Sequence, residues 1–273
     1  MLSILTDQPP IEGLRVHTEL QQGRLQRHRS TGATVRVICL PHAGSGVGGY
    51  RSWAPLLPHG VEFAVAAYPG RESRIEDPWP ATLDDLTHEI SDALDALPAL
   101  PTVVFGHSMG ALVGYELTRH LEQRGHAPRR LIVSGRRPPT LHQGGSVHTL
   151  GDAAMTEEVR RLGGTAPELL TDTRMRALIV DAVRRDYHLV ETHLLESFPQ
   201  VSCPISVFTG SDDPELAVVD APSWTALSTH SAPDVRVFDG DHFYLTRNRL
   251  PVVDALVQRI DPADLPTSEV LFP

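Results

Sequence analysis

A serine stands between two glycines in FGHSMGA, residues 105–111, and so matches the pattern GxSxG. A hydroxyl becomes a nucleophile only when a base takes its proton. A tight strand-to-helix turn exposes it for this, and the flanking glycines are needed because side chains there would collide. Glycine makes up about 7% of average proteins, so chance alone yields such a match in roughly one chain of this length in ten. Ser108 therefore needs partners, expected in chain order as an acid and then a histidine, each in a loop after a late strand. VFTGSDDP supplies Asp212 and Asp213, and VFDGDHFYL supplies His242. His242 alone among the 14 histidines combines a late strand end with a glycine turn. Asp213 is taken as the acid because it follows Gly210 by three residues and directly precedes Pro214. Asp212, the alternative, would solvate or cap the following helix.

Acyl transfer at such a serine passes through a tetrahedral intermediate whose oxyanion needs two backbone N–H donors. Met109, at the start of the helix after the serine, supplies the first. The second belongs to the glycine-rich loop CLPHAGSGVGGY, where Ala43 is the candidate and His42 is read as a structural hydrogen-bonding residue. This chemistry requires no metal or organic cofactor.

These groups demand a scaffold of strands ending in loops. RSTGATVRVICLPHAG switches from a polar, arginine-rich start into an apolar run, placing the start of the core near Thr34. Further strands are predicted in the apolar runs beginning at 61, 101, 129, 203 and 234, each closed by glycine or a turn. Between them lie helical patterns, clearest where Leu83, Leu86, Ile90, Leu94 and Leu97 recur at spacings of three and four, with Thr82 as cap and Pro98 as stop. Alternating strands and helices predict an α/β fold, a mostly parallel sheet flanked by helices, with the chemistry at the strands' carboxyl ends. Residues 140–200 break the rhythm and read as a helical insertion above the sheet.

The chain has 273 residues, 41% hydrophobic and 21% charged, enough for a full globular core. All 24 basic residues are arginines, yet the formal charge is −10 and no basic stripe appears, which argues against a nucleic-acid partner. No apolar stretch reaches membrane-spanning length, and the N-terminus lacks the basic and apolar regions of a leader. The two cysteines, Cys39 and Cys203, form neither a CxxC pair nor a metal spacing, so a reduced, cytoplasmic enzyme is expected.

In order along the chain stand LPHAG, YPGRESRIEDP, FGHSMGALVGYEL, RLGGTAPELL, DYHLVETH, CPISVFTGSDDP and GDHFYL. Together, from about Val35 to Leu256, they resemble the type II thioesterases of polyketide synthases and nonribosomal peptide synthetases. The PGRxxR stretch at 69–74, the Met-Gly-Ala after the serine and the His-Phe pair are its most specific parts. The resemblance implies one α/β-hydrolase domain over 1–273 with a flexible lid at about 145–195 and peripheral termini at 1–33 and 261–273. It implies a Ser108–His242–Asp213 triad and an oxyanion hole of the Ala43 and Met109 amides. It also implies hydrolysis of acyl groups from the phosphopantetheine arm of an acyl or peptidyl carrier protein by a monomeric enzyme. The chain departs from the family at Gly44-Ser45, where GG is common, and at Asp77, where Glu is common; both bear on substrate preference.

Met175, Leu178, Ile179, Ala182 and Val183 form an apolar helix stripe. Of these, Met175, Leu178 and Ile179, with Phe243, are the residues expected to bind substrate, although the stripe also suits plain packing on the body. Arg71 and Arg74 are candidates to meet the arm's phosphate or acidic carrier residues, or else to hold their loop through Asp77 or Glu76. The rival readings are an acyl-CoA thioesterase or carboxylesterase on free small molecules, a cyclising domain of a synthase, and a non-enzymatic hydrolase-fold interaction protein. The cyclising reading fits less well with an N-terminal methionine and termini lacking a carrier linker. The intact triad pattern speaks against an interaction protein.

Overall fold

A computed structural model describes residues 23–30, 32–141 and 144–266. Seven strands form one sheet in the order β1-β3-β2-β4-β5-β6-β7. They are β1 Leu25–His28, β2 Val35–Leu40, β3 Val61–Ala66, β4 Thr102–His107, β5 Arg130–Ser134, β6 Ile205–Gly210 and β7 Asp234–Phe238. All neighbours pair in parallel except β1, which runs antiparallel to β3. The six predicted strands are present, and β1 lies inside the segment expected to be peripheral. Of the two segments so assigned, residues 1–22 and 267–273 lie outside the described residues. Thr34 donates its hydroxyl to the Asp264 carbonyl at 2.6 Å, so the described part of the C-terminal segment docks against the start of β2.

The edge strand β1 escaped prediction because its sequence, LQRH, carries no apolar alternation. Its arginine is nonetheless buried: Arg27 and Arg36 donate to the two oxygens of Glu62 at 2.5 and 2.6 Å. Burial alone would raise the Glu62 pKa, but the two guanidinium hydrogen bonds outweigh it and hold the carboxyl below its ordinary value.

Each central strand is buried on both faces, as a parallel sheet covered by helices requires. Ile38 and Leu40 point into one core with Leu83, Leu86 and Ile90 of α1 (Leu83–Asp95) and with α2 (Met109–Gln123). Val35, Val37 and Cys39 point into the other, with Trp53 and with Val252, Val253 and Leu256 of the helix Arg249–Val257. The capping box at α1 is complete, since Thr82 and Asp85 exchange side-chain to backbone bonds at 3.0 Å, an arrangement that contributes about 1 kcal/mol.

Strand order reverses at β2. The chain passes from β2 to β3 on one side, then crosses to β4 on the other, leaving a crevice at the carboxyl ends of β2 and β4. Ligands of open α/β sheets bind at such a reversal. The loop 41–46 and the turn 106–110 meet there. Between β5 and β6 the chain inserts three helices, α3 Asp152–Leu162, α4 Pro167–Thr171 and α5 Thr173–Thr192. They share a small core of Met155, Val159, Leu170, Val180 and Val183.

Candidate active site

Ser108 has φ +54° and ψ −115°, a conformation a non-glycine residue adopts only when its surroundings enforce it. The enforcement is visible at both glycines. A Cβ on Gly106 would lie 1.9 Å from the Gly110 carbonyl oxygen, and one on Gly110 would lie 2.0 Å from the Leu40 carbonyl oxygen. Strand β4, helix α2 and strand β2 thus meet backbone to backbone, and Ser108 is turned outward between them. Ser108 N–H donates to the Ser134 carbonyl at 2.8 Å, tying the turn to β5. Although Ser108 is the N-cap residue of α2, its hydroxyl makes no capping bond. It faces the cavity instead.

His242 and Asp213 are brought together by the loops after β7 and β6. Nδ1 of His242 lies 2.9 and 3.2 Å from the two Asp213 carboxylate oxygens, and both residues are buried. Asp213 also accepts the Glu215 amide at 2.9 Å. The neighbouring Asp212 turns away to accept the Ser211 hydroxyl at 2.7 Å. A Cβ on Gly210 would come within 2.4 Å of the Gly240 and Asp241 carbonyl oxygens, so this glycine lets the acid loop and the histidine loop touch. With Nδ1 directed at the carboxylate, Nε2 of His242 is the ring atom left for a substrate-side proton.

Three histidines cluster here. The His107 ring lies 4.9 Å from that of His242 and 5.7 Å from that of His42. His107 is fully buried, with Nδ1 2.8 Å from the Ser134 hydroxyl, which is 2.6 Å from the Tyr244 hydroxyl. Burial, reinforced by His242 and His42, holds the His107 pKa well below the ordinary imidazole value. His42 Nδ1 stands 3.0 Å from the Tyr50 hydroxyl, the structural contact its sequence context suggests. Burial, with His242 and Arg71 nearby, lowers the His42 pKa to about 3. His107 and His42 thus stay unprotonated at neutral pH.

Met109 opens α2, where the first amides have no intrahelical acceptor. Ala43 lines the same cavity as Ser108 and His242, a space of about 370 Å³. Val159, Leu162, Leu169, Ile179, Val183 and Phe243 give it an apolar wall. Two of the residues expected to bind substrate, Ile179 and Phe243, are thus present. Met175 and Leu178 are not, being 39% and 50% exposed on the outer side of α5. The RLGG motif contributes Leu162, Gly163 and Gly164 to the wall, a role its sequence alone does not signal. Gly164, at φ +79°, lies so near Phe243 that a Cβ there would be 2.6 Å from the ring.

The arginines of PGRxxR are both occupied within the fold. Arg74 donates to Asp77 at 2.7 Å and pairs with Glu89 at 2.5 Å. Arg71 is buried and forms a two-pronged bond to Asp186 of α5, each arm 2.7 Å. Of the two loop carboxylates the sequence offers, Asp77 is the one that holds Arg74. Among the described residues, Asp84, His88 and His120 have metal-ligand spacing on α1 and α2, outside the residues lining the cavity. Asp84 stands 3.3 Å from His88 and 3.1 Å from His120, which accounts for that cluster as paired side chains. No helix among the described residues is long and apolar enough to cross a membrane.

A family model described as thioesterase domain matches residues 35–263. The chain is 36% identical over 235 residues to a probable cadicidin biosynthesis thioesterase of Streptomyces griseus, covering 86% of this chain and 65% of that protein. It is 35% identical to thioesterase PikA5 of Streptomyces venezuelae, covering 80% of this chain and 78% of that one. Among solved structures, the type II thioesterase BorB from the borrelidin biosynthetic cluster superposes with TM-score 0.81 at 31% identity, over 89% of this chain and all of that one. With the parallel sheet, the strand-to-helix serine turn and these matches together, the chain belongs to the thioesterase family and is an α/β-hydrolase acting on thioester bonds.

Proposed function

We propose that Ser108, His242 and Asp213 hydrolyse acyl groups from the phosphopantetheine arm of an acyl or peptidyl carrier protein, clearing aberrant or stalled chains in polyketide or nonribosomal peptide synthesis. One observation carries this reading. The hydroxyl of a strained turn and an imidazole backed by a buried carboxylate open into one apolar-walled cavity. His242 Nε2 takes the Ser108 proton as the hydroxyl oxygen adds to the thioester carbonyl, and the Ala43 and Met109 amides receive the oxyanion. The pantetheine thiolate leaves with that proton, and the acyl chain remains as a serine ester. His242 then deprotonates water for the second addition, which frees the acid and restores the Ser108 hydroxyl.

Thioesters suit the site because their carbonyl is weakly resonance-stabilised and thiolate is a good leaving group. Residues 145–195 act as the lid over the acyl chain. The proposed enzyme is a cytoplasmic monomer; a reducing compartment suits its two buried free thiols, Cys39 and Cys203. Hydrolysis of one acyl group is to be compared on a carrier protein, on coenzyme A and on a simple ester. The carrier-bound thioester is expected to turn over with the highest kcat/KM. A large preference for the simple ester would refute the proposal, and equal rates on coenzyme A and carrier would remove the carrier from it.

A further inference from the structure

The loop that carries Ala43 is not held by the sheet alone. Gly44 N–H donates to Asp186 Oδ2 at 2.7 Å, and Asp186 sits on α5, in the insertion. The same oxygen accepts from Arg71 Nη1 at 2.7 Å, while Oδ1 accepts from Arg71 Nη2 at 2.7 Å. Arg71 Nη1 also donates to the Ser45 carbonyl at 3.0 Å. Next to it, Glu72 accepts the amides of Val47 and Gly48 at 2.7 and 2.9 Å. Glu72 itself has φ +47°, a conformation costly for a side chain of its size. Val183, one turn before Asp186, fits over Gly44 so closely that a Cβ there would meet its Cγ2 at 2.5 Å. Trp79 receives Arg71 on its ring at 5.0 Å and Arg185 of α5 at 5.3 Å.

We propose that Arg71 and Asp186 are positioning residues that tie the seating of α5 to the geometry of the oxyanion site. The proposal rests on the reading of Ser108 and the Ala43 amide given above. Asp186 occupies the peptide next to Ala43, so the orientation of the Ala43 N–H is set by a carboxylate belonging to the insertion. Lifting α5 takes away that carboxylate and leaves the Arg71 guanidinium buried beside Tyr68 without its counter-charge, a costly state. The oxyanion site is thus complete only with the insertion seated over the acyl chain, and a raised insertion leaves Ser108 with a misaimed second donor. The PGR arginine, for which the sequence alone leaves a phosphate, acidic carrier residues or structural carboxylates open as partners, acts as the anchor of this coupling.

The test uses the full chain and an acyl-pantetheine thioester, with rates expressed per folded enzyme. Asp186→Asn retains an acceptor but cannot serve Gly44 and both guanidinium arms at once. Arg71→Lys keeps the charge and loses the fork. Displacing one oxyanion donor should lower kcat by roughly 10- to 100-fold in each, with KM within about threefold. Affinity for an acyl boronic acid, which mimics the tetrahedral intermediate, should fall by the same factor as kcat. Arg184→Ala, which removes only the exposed bonds to Asp152 and the Leu150 carbonyl, should leave both unchanged. Unaltered kcat in Asp186→Asn and Arg71→Lys overturns the proposal, as does a fall in kcat with boronate affinity retained.

Hydrogen–deuterium exchange tests the coupling without turnover. In Arg71→Lys the segments 42–48 and 180–190 should lose protection together, and a rise in only one of them overturns it. If Ser108→Ala still turned over substrate, the underlying catalytic reading would fall while the exchange result stood.

Discussion

The half of the cavity built by the sheet and the half built by the insertion are held in different ways. On the sheet side, position is enforced by backbone. Gly106, Gly110 and Gly210 each allow a contact near 2 Å from where a Cβ would be, and Ser108, Asp213 and His242 sit on the turns those contacts define. On the insertion side, a five-residue buried core, the ring packing of Gly164 on Phe243 and the Arg71–Asp186 pair hold three helices over the site. Interlocked backbone has one arrangement. Side-chain packing and ion pairs such as Arg71–Asp186 and Arg161–Glu215 have alternatives, so in the proposed reading the nucleophile and its base belong to the first half and the adjustment to acyl chains to the second.

Removing the proposed nucleophile is the strongest challenge to this division. Ser108→Ala should lower kcat by on the order of 10⁴-fold or more while leaving thermal unfolding unchanged, measured on an acyl thioester. Undiminished hydrolysis would move the chemistry elsewhere. Gly110→Ala attacks the same half through the backbone. The added methyl meets the Leu40 carbonyl, which cannot rotate aside, so urea unfolding should show a loss of at least about 3 kcal/mol. A loss below about 1 kcal/mol would mean that the turn is less constrained than its contacts suggest.

Acid sensitivity should also belong to the sheet half. His107 stays neutral in the fold, whereas an unfolded histidine takes a proton below about pH 6.5. The unfolded chain then binds more protons, so stability falls as pH drops through 6.5, by about 1.4 kcal/mol per pH unit for each such histidine. His42, with a folded value of about 3, adds its own slope down to that pH. Urea unfolding between pH 7 and 5 should flatten by the His107 share in His107→Gln, and an unchanged slope would place the lability elsewhere. The smallest effects separate two neighbours on α5. Ile179→Asp, in the cavity wall, should raise KM for long acyl chains about tenfold, the equivalent of about 1.4 kcal/mol. Leu178→Asp, facing solvent, should change stability by less than about 0.5 kcal/mol and leave kinetics alone.

Much of this is legible in the sequence alone. Strand ends marked by glycine, and an acid and a histidine in order behind the last two strands, point to Ser108, Asp213 and His242. They do so because parallel-sheet topology places successive loops along one edge. The substrate wall was read less well, since hydropathy finds apolar residues and not the direction they face. At 100° per residue, Leu178 lies about 140° around the helix from Val183, while Met175 sits in the first turn of α5, about two turns before Val183. The inward face of α5 includes Asp186 and Glu191, both buried and charged, so the true stripe is not the most apolar one. Strand β1 was hidden for the same reason. Its inward arginine is matched by Glu62, a partner 35 residues away that no local window can see.

That edge strand decides where the protein can be trimmed. A chain begun at Val35, where the family match starts, would expose the outer backbone of β3 as an unpaired ribbon, an invitation to pairing between molecules. It would also leave Glu62 with Arg36 alone and strip the cover from a buried carboxylate. A boundary for expression or domain transplantation that keeps β1 therefore falls no later than Gly23.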